Sequence, residues 1–305
     1  MTSREGVRRW RTVVTFLASI ALVACGGSED PFSNDGGSSA DAASGADAPV
    51  GGGPDATVTD ASVLTCAPMP TQLIVLGDSI THCSNLSGNT SNPDCSATNF
   101  HEYLKANVNP SITLQNVSQP GAVSQDVGDS QIGAVTVGAG HALVMVFIGG
   151  NDLQPYIFIS DTAAETRYAT DKPRLENEWQ RIYDWLENSS NFPDGVTLIM
   201  NTQYNPFDDC TAPPYNLSSY KIGLLTEFNE TLRSQAGARD YATITDQHTT
   251  YLGHGHHNTV DSCPHYSAGA ANWMGDLIHP NAAGHANLLS QWQKTSDAIY
   301  GANCP

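Results

Sequence analysis

Positive charge is what this chain most lacks: 13 Lys and Arg stand against 31 Asp and Glu, a net charge of −18. A nucleic-acid binder needs a basic footprint for the phosphates, so that class is excluded. The same deficit would repel anionic lipid head groups and removes an electrostatic route to a membrane surface. A membrane-spanning run is missing too. The apolar stretch at residues 13–24 has twelve apolar or small residues, where a spanning helix needs roughly 20. No pair of cysteines shows the close spacing of a zinc knuckle. No internal repeat is visible.

What is present divides the chain into three. Residues 1–25 begin with Arg4, Arg8, Arg9 and Arg11, pass into the short apolar run and end in small residues. That order is the pattern of a secretory signal peptide. Its end, Leu22-Val23-Ala24-Cys25, resembles the lipobox of bacterial lipoproteins. The resemblance implies a lipid on Cys25 and attachment at an outer membrane or cell surface. An ordinary signal peptide, with a secreted or periplasmic product, is the alternative. In residues 26–65, 30 of 40 residues are Gly, Ser, Ala, Asp or Pro, without a Lys or Arg. Such a segment buries too little to offset its ordering entropy, so it reads as a disordered acidic tether.

Residues 66–305 remain, carrying a net charge of −14 and long enough for one domain with a sizeable core. Six cysteines fall here: Cys66, Cys83, Cys95, Cys210, Cys263 and Cys304. An even number in an exported protein suggests three disulfides, although six cysteines allow fifteen pairings. Cys83 with Cys95 is the most local pair and would stabilise by about 3 kcal/mol through loop closure. Cys210 with Cys263, and Cys66 with Cys304, would then be left.

Short apolar runs alternate with helical periodicity along this part. Strands are predicted at residues 72–76, 112–117, 142–148, 196–201 and 241–245, with helices at 99–108, 176–187, 220–236 and 282–300. The alternation predicts an α/β domain with a largely parallel sheet and right-handed crossovers. Functional groups in such sheets gather beyond the carboxyl ends of the strands.

Three polar motifs stand at those ends. Gly77-Asp78-Ser79 follows the first strand, Gly121 lies beyond the second, and Gly149-Gly150-Asn151-Asp152 follows the third. A fourth, Asp276-Leu277-Ile278-His279, precedes the last helix. A serine hydroxyl needs a base to take its proton, and the base works best when a third group fixes its tautomer. The three-residue spacing lets Asp276 hold one nitrogen of His279 and turn the other towards Ser79. The N–H groups of Ser79 and Gly121 and the amide of Asn151 could then donate to a developing oxyanion.

These four blocks, in this order and over residues 71–300, resemble the SGNH (GDSL-type) hydrolases. The resemblance implies a flavodoxin-like three-layer α/β/α sandwich with a mainly parallel five-stranded sheet. It also implies ester hydrolysis through an acyl-enzyme on Ser79, with His279 as base, Asp276 as its orienter, and Gly121 and Asn151 in the oxyanion hole. No metal or cofactor is implied. The expected partner is a small-molecule or polysaccharide ester, the expected state a monomer, and the membrane is reached only through Cys25.

Several residues have blander readings. Asp78 and Asp152 read as carboxylates that fix local turns, and His285 as a packing residue in the last helix. The stretch with His254, His256 and His257, near His248 and His265, reads as a loop beside the catalytic histidine; a metal-dependent hydrolase built on it is the competing class. Tyr204, Tyr215, Tyr220 and Trp273 could stack on a sugar. A short-chain esterase or carbohydrate deacetylase is expected first. A lipase or lysophospholipase of the same family, and a non-catalytic carbohydrate-binding module on the same fold, stay open.

Overall fold

The computed structural model describes residues 66–301. The expected signal peptide with Cys25, the tether, and Cys304 with its expected pairing to Cys66 lie outside the described residues.

Five strands form one parallel sheet: β1 (Gln72–Gly77), β2 (Thr113–Asn116), β3 (Ala142–Phe147), β4 (Val196–Asn201) and β5 (Ala242–Thr245). Their spatial order is β2-β1-β3-β4-β5, with every neighbouring pair parallel. This is the flavodoxin-like order. β1 and β3 are buried along their whole length, as the centre of a sheet covered on both faces must be.

Side chains alternate across each strand, and this sorts the core into two halves. Ile74 and Leu76 of β1, with Val144, Val146, Leu198 and Met200, pack beneath the helices Asp161–Glu187 and Ser219–Gly237 through Trp179, Tyr183, Phe228 and Leu232. Leu73 and Val75, with Leu143, Met145 and Ile199, pack on the other face beneath Ser96–Asn107 and Ala282–Tyr300 through Phe100, Leu104, Leu288 and Trp292. The result is a three-layer α/β/α sandwich, the arrangement that the family resemblance implied, around the parallel sheet that the alternating pattern predicted.

Two elements differ from the sequence reading. The helix expected at residues 176–187 begins at Asp161 and runs for 27 residues with Pro173 inside it. A further helix, Gly150–Ile157, contains Pro155 and follows directly on β3. Both prolines interrupt the local helix signal, because each removes one backbone donor. Disulfides join Cys83 to Cys95 and Cys210 to Cys263. The first ties the turn after β1 to the Ser96–Asn107 helix.

Candidate active site

The chain turns sharply at the end of β1. A Cβ on Gly77 would meet the Phe147 carbonyl oxygen at 2.4 Å, so only glycine lets β1 and β3 stay this close here. The buried amide of Gln131 closes the other side, accepting from Gly77 N–H at 2.9 Å and donating to its carbonyl at 2.7 Å. Asp78 then caps a single helical turn, Ser79–His82, by accepting from the Ile80 N–H at 2.9 Å. Ser79 is the first residue of that turn, with 7% of its surface exposed.

His279 arrives from the loop before the last helix. Asn281 fixes where that helix starts, since its side chain accepts from the N–H groups of Ala283 and Gly284. The loop itself is held backbone to backbone: Gly275 N–H donates to the His279 carbonyl at 2.8 Å and Asn281 N–H to the Trp273 carbonyl at 2.7 Å. His279 Nε2 lies 2.9 Å from Ser79 Oγ, and its Nδ1 lies 2.8 Å from Asp276 Oδ2. A carboxylate can only accept, so Nδ1 carries the proton and Nε2 presents its lone pair to the serine. Burial alone would raise the Asp276 pKa, but the N–H groups of Ile278 and His279 and the imidazole together hold it below the ordinary value. Asp276 is thereby kept ionised against the ring.

Gly121 lies on the exposed loop after β2 with φ +77°, a conformation that favours glycine. Asn151 opens the Gly150–Ile157 helix and shares one pocket with Ser79 and His279. One proton of its amide is committed to the Ala122 carbonyl at 2.9 Å, which leaves the second free. That bond also ties Asn151 to the loop of Gly121. Asp152, read from sequence as a local turn carboxylate, acts at long range instead. It accepts from the backbone N–H and hydroxyl of Ser124 at 2.7 and 2.9 Å, anchoring the same loop, and faces Arg174 at 3.5 Å.

The histidine-rich segment braces the catalytic loop. His256 Nε2 lies 3.1 Å from the carbonyl oxygens of both Asp276 and Leu277, so it must carry a proton and donate. Tyr204 donates to the next carbonyl, Ile278, so three successive carbonyls of this loop have donors from elsewhere in the chain. His254 stacks on Trp273 at 3.6 Å, and His257 sits between the carbonyls of Phe207 and Ala212. Among the described residues, no group of three or more His, Cys, Asp or Glu side chains is placed to hold a metal ion. His285 is buried 2.9 Å from Ser96 Oγ, and burial pulls its pKa down to about 4. Of the four aromatic residues considered for sugar stacking, two are spoken for, whereas Tyr215 is exposed and Tyr220 half-buried. Tyr204 is buried and stacked on Tyr251, and Trp273 is covered by His254.

His256, Tyr204, Gln131 and Asp152 were not found as supporting residues from sequence. Each acts on a backbone or side-chain group at least 20 residues away, for which no local pattern exists.

Residues 73–292 match the family described as GDSL-like lipase/acylhydrolase. Lipase 1 of Streptomyces coelicolor is 26% identical over 230 residues, covering 70% of this chain and 82% of that protein. Among solved structures, phospholipase A1 from Streptomyces albidoflavus superposes with a TM-score of 0.51 at 20% identity, over 74% of this chain and 99% of the other. An acetyl xylan esterase superposes with a TM-score of 0.51 at 16% identity, over 73% and 98%. At these identities the two structural likenesses are likenesses of fold.

Proposed function

The chain belongs to the GDSL-like lipase/acylhydrolase family and is a carboxylic ester hydrolase, and from that premise we propose that it works through an acyl-enzyme on Ser79. The observation that carries the reading is the unbroken chain from Ser79 Oγ through the His279 ring to Asp276. His279 Nε2 takes the hydroxyl proton as Oγ attacks the ester carbonyl carbon, and Asp276 steadies the imidazolium. The carbonyl oxygen, now an alkoxide, accepts from the N–H groups of Ser79 and Gly121 and from the free proton of the Asn151 amide. Collapse expels the alcohol, which takes the proton from His279. Water then repeats the sequence on the acyl-enzyme and releases the acid. No step calls for a metal or cofactor.

The natural substrate in this reading is a short-chain ester or an acylated carbohydrate. The pattern of residues 1–25 and 26–65 supports export, with Cys25 lipidated and the hydrolase domain, residues 66–305, held away from the membrane by the tether. Among the described residues, no helix is long and apolar enough to cross a membrane. The mechanism is tested by treating the full chain with a fluorophosphonate ester and sequencing the labelled peptide by mass spectrometry. The expected result is one adduct, on Ser79, with activity lost in proportion. An inactivating adduct on another residue contradicts the proposal.

A further inference from the structure

The pocket that contains Ser79 and His279 continues away from them between two helices, Gly150–Ile157 and Ser219–Gly237, and the loop after β4. Its walls there are Leu153, Ile157, Phe207, Leu217, Leu224 and Leu225. Apart from Gln154, the polar side chains on this part of the lining already have partners within the protein. Gln203 Nε2 donates to the Ile148 carbonyl at 2.8 Å, and Asn205 Nδ2 to Asp209 at 2.6 Å. Lys221, also on the lining, donates to the Ile157 carbonyl at 3.0 Å and lies 3.9 Å from Asp161. A polar ligand would therefore find few free donors here, whereas a hydrocarbon chain would find matching surface.

The dimensions narrow this further. Asn151, at the reacting end, and Ile157, bonded to Lys221, are six residues apart on one helix, or about 9 Å along its axis. The void measures about 100 Å³, against the ~150 Å³ apolar cavity that holds a benzene ring. An acetyl group would leave most of this space empty, and a long fatty chain would run past the Ile157–Lys221 contact.

We propose that this pocket is the acyl subsite, that it selects esters of apolar acyl groups of about four to six carbons, and that Leu153, Leu225 and Lys221 set that length. The proposal rests on Ser79 being the nucleophile, since the pocket is oriented by its position at Ser79. Each methylene buried against the leucine walls raises kcat/KM about fourfold. The rise stops where the chain meets Ile157 and Lys221. The alcohol part of the ester lies outside this pocket and is not selected by it.

The test is kcat/KM of the full chain on p-nitrophenyl esters with acyl groups from acetyl through butanoyl, hexanoyl, octanoyl and dodecanoyl to palmitoyl. The expected profile climbs at least tenfold from acetyl to its maximum at butanoyl or hexanoyl, then falls. Leu225→Trp and Leu153→Trp fill the pocket from opposite helices, and each is expected to invert the hexanoyl-to-acetyl ratio. That ratio is internal to each variant, so a partly unfolded preparation does not distort it, and two separate positions guard against one failing to fold. Lys221→Ala is expected to move the maximum towards octanoyl. A maximum at acetyl, a flat profile, or a maximum at dodecanoyl or beyond overturns the proposal. So do tryptophan variants whose ratio matches the parent. Ser79→Ala assayed on every ester keeps the two readings apart. Activity that survives in it removes the nucleophile, while a Ser79-dependent activity with the wrong profile removes only the pocket assignment. An inactive parent on all six esters contradicts both.

Discussion

Asp78 stands next to the serine and is itself 3% exposed. Burial, opposed by the Ile80 N–H and reinforced by the nearby Asp152 carboxylate, lifts its pKa from 3.8 to about 7. The folded chain therefore holds this proton over a range in which the unfolded chain has released it. Between pH 3.8 and about 7 the native state binds more protons through Asp78, so rising pH lowers stability through this group. Asp78→Asn keeps the acceptor for Ile80 and removes the titration. Its stability relative to the parent, measured by urea unfolding, is expected to increase as pH is raised across that window, by about 4 kcal/mol at most. A difference that is constant with pH would contradict the account. The residue also shows what sequence can and cannot reveal. Gly77-Asp78-Ser79 was legible as a turn after a strand, since four apolar residues lead into it. The perturbation of Asp78 was not, because it depends on burial and on Asp152, which is distant in sequence.

At the scale of elements, the acid and the base share one loop whose geometry is set by other elements. The segment from Trp273 to Asn281 is closed on itself by backbone bonds and held from outside by His256 and Tyr204. His256→Phe preserves the ring that packs against Phe207 and Tyr215 but deletes the donor to the Asp276 and Leu277 carbonyls. The expected result is a fall in kcat of about tenfold with KM within about twofold, because loosening affects the proton transfer more than ester binding. His256→Gln, which can still donate, is expected to recover part of the loss. An unchanged kcat in His256→Phe would show that the loop keeps its geometry without this brace. The sequence suggested a histidine-rich loop near the catalytic histidine, and the placement of His256 agrees with that. Its donor role could not be read in advance, because a carbonyl 20 residues away leaves no mark on local composition. The helix Gly150–Ile157 was hidden in a comparable way. Pro155 breaks the local pattern, and only packing against the Ser219–Gly237 helix makes its register evident.

For the whole molecule, the strand order β2-β1-β3-β4-β5 places the serine loop beside the Asn151 loop at the point where that order reverses; the alternation of apolar runs and helical periods implied a largely parallel sheet but not this order. That placement, with the loop before the last helix, brings Ser79, Asn151 and the His279–Asp276 pair together at the carboxyl ends of the strands, and the Asn151 amide ties in the loop of Gly121 through the Ala122 carbonyl. Their convergence was legible because each stands at a strand end or a helix start. The acyl pocket was not, because its leucines belong to two helices and look like ordinary core positions in sequence. Disulfides join Cys83 to Cys95 and Cys210 to Cys263, and such bonds persist in oxidising compartments. The central claim is that Ser79 attacks the ester. Hydrolysis of p-nitrophenyl butanoate by the full chain and by Ser79→Ala, at matched folding by circular dichroism, tests it most directly. The account predicts a fall in kcat of at least a thousandfold, whereas equal rates in the two proteins would contradict it.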